Sequence, residues 1–227
     1  MRLITAFFGS KDYHRMLDVM CSSVKKHMPG QTTEIITVPE PPAPDDKHKL
    51  TYFGFIPAAI EALASLEDIA VADLDLMFRG DIRNVFSYDF DIAVTVRDHH
   101  MKYNTGLWFA RPTYQAKEFI KQWIDNTHRI YKNYTIDVVH RWGGIDQQAL
   151  AETIEQMPTV NVLQLPCHIW NAEQTCWKQI NEETKVIHIK SGLRPLCLDT
   201  TGAQIPIKHK HLRKIIEEWQ TYENTGI

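Results

Sequence analysis

Ile69-Ala-Val-Ala-Asp-Leu-Asp-Leu-Met-Phe-Arg-Gly-Asp-Ile82 is the stretch whose reading decides the fold. Its apolar opening reads as a buried strand, and Asp73 and Asp75 follow at the strand's carboxyl end. Alternate residues of an extended chain share a side, so both carboxylates are expected to point the same way. Two acidic oxygens converging beyond a strand end suit a hard divalent cation of the Mg²⁺ or Mn²⁺ kind. Spacing alone also fits a solvated strand-to-loop turn, because two aspartates recur this way by chance.

Working outward, the chain before this stretch reads as strand, helix, strand. Arg2 to Phe8 is expected to be a strand, with Gly9 to Asp12 a turn and Asp12 a helix cap. Met16, Leu17, Met20, Cys21, Val24 and Met28 then recur at helical steps until Pro29-Gly30. Glu34 to Val38 is the next strand, which implies a parallel pair joined by a right-handed crossover. Pro39 to Pro44 reads as a stiff surface loop, too short to separate domains, and Tyr52 to Leu66 as the helix leading to Ile69.

Beyond the acidic pair, strands are expected at Asp91 to Arg97, Asn104 to Arg111, Val160 to Leu165 and Lys185 to Lys190. A long helix is marked by Phe119, Ile120, Trp123, Ile124, Ile130 and Tyr131. Another opens at Asp146 after Trp142-Gly-Gly, with Asp146 placed to cap it, and an amphipathic helix through Leu212, Ile215, Ile216 and Trp219 follows the last strand. The pattern predicts an α/β fold with a mainly parallel sheet, as a single domain over residues 1–227.

Composition narrows the partners. The 227 residues are 44% hydrophobic, enough to fill a substantial core, and a net charge of -3 gives no general attraction to nucleic acid or anionic membrane. Partners must therefore be sought in a site. Cys21, Cys167, Cys176 and Cys197 lack paired spacing and read as packing residues in a reduced, cytoplasmic setting, with peripheral membrane contact or a virus-infected cell as other settings. No apolar run approaches the roughly 20 residues of a membrane span. His99, His100, His140 and His168 are not taken as metal ligands, because neighbouring His99 and His100 on a strand would face opposite ways.

Several pieces, in a shared order, resemble the retaining glycosyltransferases of the glycogenin and lipopolysaccharide galactosyltransferase type, glycosyltransferase family 8. They are Ala6-Phe-Phe-Gly-Ser-Lys-Asp-Tyr13, Lys49-Leu50, the Asp73-Leu-Asp75 segment, Asn104-Thr-Gly106, Gly143-Gly-Ile-Asp-Gln147, Ile169-Trp-Asn171, and His188-Ile-Lys-Ser-Gly192 with Arg194-Pro195. Leu74, Ala151, Arg194 and Leu196 depart from that family's usual residues. The resemblance implies the GT-A fold, a Rossmann-like mixed sheet flanked by helices, and transfer of a glucose- or galactose-class hexose from a UDP-sugar with retention.

It also implies roles. Asp73, Asp75 and His188 would hold the metal, and an imidazole beside two carboxylates suits Mn²⁺ better than Mg²⁺. Lys49, Lys190 and Arg194 would meet the diphosphate, and Phe7 and Tyr13 would form a shelf for the base. Asn104, Asp146 and Gln147 would contact the transferred sugar, with Asp146 and Gln147 nearest the chemistry. Acceptor glycan, protein or small molecule all stay open, and the basic run Lys208 to Lys214 leaves an acidic polymer such as DNA as a further option. Two alternatives stand beside this reading: a haloacid-dehalogenase-like phosphatase, which would want its Asp-x-Asp on the opening strand, and a nucleotide-sugar-binding module without turnover.

Overall fold

A computed structural model describes residues 1–7, 11–38, 50–199 and 212–224. Lys49, the proline-rich loop, the Phe8-Gly-Ser10 segment and residues 208–211 of the basic run lie outside the described residues. The strands are β1 (Arg2–Phe7), β2 (Thr33–Thr37), β3 (Ile69–Ala72), β4 (Leu76–Phe78), β5 (Ile92–Val96), β6 (Tyr103–Ala110), β7 (Val162–Pro166) and β8 (Val186–His188). The helices are α1 (Lys11–His27), α2 (Leu50–Ala64), α3 (Tyr114–Lys132), α4 (Asp137–Trp142), α5 (Ile145–Gln156), α6 (Cys167–Trp170), α7 (Leu193–Leu198) and α8 (Arg213–Asn224).

Six strands form the main sheet in the order β2-β1-β3-β6-β5-β7. β1 pairs parallel with β2 and β3, and β5 pairs parallel with β7, while β6 runs antiparallel to both of its neighbours. The expected α/β domain with a mixed, mainly parallel sheet is what forms. β4 and β8 make a separate antiparallel ribbon.

Strand periodicity builds two core layers. Ile69, Val71, Trp108 and Ala110 face one layer, with Phe55 of α2, Trp123 of α3 and Leu150 of α5. Ala70, Ala72, Leu107 and Phe109 face the other, with Met20, Val24 and Met28 of α1 and Phe78 of β4. The central strands are therefore apolar on both sides, as a covered sheet requires. A third cluster packs Phe7, Met16 and Leu17 against Ile187, Ile189, Leu212, Ile216 and Trp219. All four cysteines are free, and three are buried, in keeping with packing roles.

Several local expectations change. The chain does not stay extended through the acidic pair: β3 stops at Ala72, the backbone turns with Leu76 N–H donating to the Asp73 carbonyl at 3.3 Å, and β4 begins at Leu76. Asp12 and Asp146 are not caps. Helices α1 and α5 begin one residue ahead of them, so each carboxylate lies in a first turn, where the helix dipole favours it. His99 and His100 sit in a bend, not a strand, and their rings face one another with centroids 4.0 Å apart.

Two devices bring distant segments to one end of the sheet. β6 breaks register against β5: Val94 pairs with Trp108, yet Thr95 pairs with Asn104. Thr105 and Gly106 belong to the excursion between those pairs, and bulges of this kind re-aim side chains beside active sites. In the ribbon, Leu76 pairs with His188, and Ile189 N–H donates to the Asp75 carbonyl at 2.8 Å. A histidine more than a hundred positions after Asp75 is thereby fixed next to it.

Candidate active site

Asp73, Asp75 and His188 converge where β3 ends. His188 Nε2 lies 3.1 Å from Asp75 Oδ1 and 3.6 Å from Asp73 Oδ2. Among the described residues these three form the one group of acidic, histidine or cysteine side chains able to surround an ion, with one ligand atom from each lying within 4.8 Å of the others. An octahedral ion with ligands at about 2.1 Å sets neighbouring ligand atoms about 3 Å apart, so the spacing fits a divalent cation. Asp75 and His188 are buried, whereas the Asp73 side chain keeps 56% of its surface exposed.

Gly106 makes that approach feasible. A Cβ at this position would stand 2.5 Å from His188 Cε1, 2.8 Å from its Nδ1 and 2.9 Å from Asp73 Oδ2. Its carbonyl accepts from the Asp73 N–H at 2.7 Å, and its own N–H donates to Asn104 Oδ1 at 3.1 Å. The glycine is needed for space between backbone and ring.

The electrostatics separate the two aspartates. The surrounding protein mass raises the Asp73 carboxyl, and nearby Asp75 and Asp146 add to this against the pull of His188 and Lys190, leaving it at about 6. Burial would raise Asp75 as well, but His188 and the Arg194 guanidinium overcome it and hold Asp75 well below the usual carboxylate range. Arg194 donates to Asp75 Oδ2 and, through Nε, to the Ile189 carbonyl at 3.3 Å. Read from the sequence, Arg194 belongs to phosphate; the structure also makes it a partner of the metal-site carboxylate.

A buried polar wall flanks the trio. Asp146 accepts from the Thr105 hydroxyl, and burial raises its carboxyl against that hydroxyl's pull. Gln147 Oε1 accepts from Arg97 at 2.6 Å, and Arg97 also donates to the Tyr103 carbonyl. Arg97 faces Glu173 at 3.9 Å, with both side chains about 5% exposed or less. Burial lowers the Arg97 guanidinium while Glu173 raises it; burial raises Glu173, and Lys190, Thr175 and Arg97 outweigh that to lower it. Gly143, in the left-handed region at φ +88°, makes the turn that leads into α5 and so to Asp146 and Gln147.

Trp123 ties this wall to the core, its indole N–H donating to the Asp146 carbonyl at 2.9 Å inside a fully buried setting. Trp123→Phe is expected to lower unfolding free energy by about 2 kcal/mol, through a smaller ring and a buried carbonyl left without its donor. Urea denaturation measures it, and an unchanged midpoint would show that the indole N–H is dispensable.

The sequence-derived residues are placed unequally. Asn104 is buried where the excursion begins, its side chain turned to the Gly106 N–H. Lys190 is half-buried, and its charge acts on both Asp73 and Glu173. Tyr13 is half-buried in the neighbourhood of Arg194. Phe7 is 7% exposed within the third core cluster and meets His14 edge-on at 4.6 Å, so most of its surface is already committed to packing. Nothing in the sequence marks Thr95, Arg97 or Glu173 as site residues, because each reads as an ordinary strand or loop position. Thr105 and Gly106 lie inside the quoted Asn-Thr-Gly, and Asn171 inside the aromatic-Asn segment.

The nucleotide-diphospho-sugar transferase family model matches residues 66–194, more than half of the chain and nearly all of this site. The chain belongs to that family. Membership sets aside the phosphatase alternative, whose acidic motif would lie on the opening strand. Among solved structures, a glycosyltransferase involved in the glycosylation of the major capsid of PBCV-1 superposes with a TM-score of 0.61 at 13% identity, covering 97% of this chain and 98% of that one. The glycosyltransferase GlyE of Streptococcus pneumoniae TIGR4 superposes with a TM-score of 0.58 at 15% identity, covering 99% of this chain and 63% of that one. At such identities the likeness is one of fold. No curated protein matches the chain. No helix among the described residues is long and apolar enough to cross a membrane.

Proposed function

We propose that this chain, read as one domain over residues 1–227, transfers a glucose- or galactose-class hexose from a UDP-sugar to an acceptor, with retention, as glycosyltransferase family 8 does. The observation that carries the reading is the convergence of Asp73, Asp75 and His188 at the carboxyl end of β3. Their oxygen, oxygen and imidazole nitrogen donors suit Mn²⁺, with Mg²⁺ as the second choice. When bound, the cation supplies charge neutralisation for the departing diphosphate.

The chain's own residues do the rest. Arg194, Lys190 and Lys49 are assigned to phosphate oxygens, the first by a planar fork and the others as point charges. Tyr13 and Phe7 are assigned to the base. Asn104, Asp146 and Gln147 orient the sugar, and their burial holds their dipoles fixed while the glycosidic bond to UDP breaks. Asp146 and Gln147 are assigned to the positive charge that develops at the anomeric carbon. Retention follows either from attack by the acceptor's hydroxyl on the face that UDP vacates, its proton passing to the leaving phosphate, or from two successive displacements through a carboxylate or amide near the anomeric carbon.

Thermal shift with UDP tests the reading. UDP at 100 times its dissociation constant should stabilise the protein by about 2.7 kcal/mol with Mn²⁺ present, and not in EDTA. Equal stabilisation by UDP in EDTA would reject the metal bridge. Incubation with UDP-glucose and UDP-galactose, followed by assay of released UDP, distinguishes a transferase from a binding module.

A further inference from the structure

Thr95, Asn104, Asn171 and His188 form a hydrogen-bond chain whose direction is set at one end. The Thr95 hydroxyl has a single proton, and it is donated to the Asn104 carbonyl at 2.6 Å. Thr95 Oγ1 therefore has only lone pairs to offer Asn171, whose Nδ2 lies 3.1 Å away and donates to it. Asn171 Oδ1 is then the atom facing His188 Nδ1, at 3.1 Å, and an oxygen there accepts. Nδ1 therefore carries a proton and donates it, which leaves Nε2, 3.1 Å from Asp75 Oδ1 and 3.6 Å from Asp73 Oδ2, as the ring nitrogen that gives its lone pair to a cation held there.

Burial and backbone contacts keep the chain in this state. Thr95 and Asn171 are fully buried and His188 nearly so, which leaves water little access to substitute for a link. The Asn171 carbonyl accepts from Cys167 Sγ at 2.8 Å, its N–H donates to the Cys167 carbonyl at 2.8 Å, and Ala172 N–H donates to the Val186 carbonyl at 2.9 Å. The amide cannot drift from the ring. It can only flip end for end, which costs nothing sterically, so the Thr95 hydroxyl decides its orientation.

We infer that Asn171 is a positioning residue and Thr95 the group that orients it, and that together they fix the Nδ1–H form of His188 so that Nε2 faces the cation. This deepens the proposed function and rests on its metal site. Histidines that bind metals are generally held by a partner on the other ring nitrogen, and loss of that partner weakens affinity about 10- to 100-fold. Here the partner is an amide that becomes an acceptor only because a threonine has spent its proton elsewhere.

The test uses the full chain as wild type, Thr95→Val, Thr95→Ser and Asn171→Ala. The proton on His188 Nδ1 is read from proton–nitrogen correlation spectra without metal. Mn²⁺ affinity comes from electron paramagnetic resonance without nucleotide. Wild type and Thr95→Ser should show Nδ1–H and similar affinity. Thr95→Val, close in shape, should let the amide flip, leave Nδ1 without its proton and weaken Mn²⁺ by about tenfold or more, in a chain that still unfolds cooperatively at a lowered denaturation midpoint. Asn171→Ala should lose the tautomer preference and affinity together. A wild-type ring with no proton on Nδ1, or Thr95→Val keeping both Nδ1–H and wild-type affinity, overturns the inference. Should wild type bind no Mn²⁺, the metal reading falls, while the Nδ1 proton in wild type and Thr95→Val still decides the relay.

Discussion

Gly106→Ala is expected to abolish Mn²⁺ binding, and with it the metal-dependent stabilisation by UDP, at a stability cost of about 1–3 kcal/mol. The added methyl would meet His188 at 2.5 and 2.8 Å and Asp73 Oδ2 at 2.9 Å, all shorter than packing permits. His188 cannot retreat, because β8 is paired with β4 on one side and bonded to Ala172 on the other. The Gly106 backbone is held by Asp73 and Asn104. Displacement therefore falls on the ligand geometry, and an affinity loss of at least about 100-fold is expected. Calorimetric titration with Mn²⁺ measures it. Binding within about threefold of wild type would mean that the methyl is absorbed elsewhere and that the site is not built around this glycine.

Asp75→Asn carries the second large effect. Asp75 touches both His188 and Arg194 and is the buried member of the acidic pair. An amide keeps the shape but loses the charge, so the cation loses an anionic ligand and Arg194 loses its ionic partner. Removing one member of such a pair destabilises by about 3–5 kcal/mol when both ions are fully buried. Arg194 is only half-buried, and water recovers part of that cost. The expected outcome is loss of detectable metal binding with a smaller fall in stability, about 1–2 kcal/mol. Asp73→Asn should weaken binding less than Asp75→Asn, since the Asp73 side chain is more exposed and it is Asp75 that Arg194 grips. The reverse order of affinities would place the principal ligand at Asp73.

Sheet and site were legible in the sequence to different depths, for physical reasons. Apolar runs bounded by glycine, proline and aspartate announced the strands of the main sheet, because both faces of β3 and β6 are covered and tolerate little else. The acidic pair and His188 were visible, but the reason they meet was not. Alternation along an extended strand was the wrong mechanism: the chain turns at Asp73, and β4 pairing with β8 supplies the contact. Cross-strand register between segments over a hundred residues apart leaves no local signal.

The roles of Arg97, Glu173 and Thr95 were hidden for a related reason. Each reads as an ordinary strand or loop residue, and its meaning comes from a partner on another element. Gly143-Gly144 did show as a break, though as the entry to α5 and not as a place for an aspartate cap. Asp146 sits one residue inside the helix, where Thr105 from the β6 excursion reaches it.

Crystals soaked in Mn²⁺ and UDP, with diffraction recorded at a wavelength where manganese scatters anomalously, test the central claim most directly. One strong anomalous peak is expected, enclosed by Asp73, Asp75 Oδ1 and His188 Nε2, with diphosphate oxygens on its open side. A UDP molecule seated in the protein with no manganese peak between these three residues would contradict it.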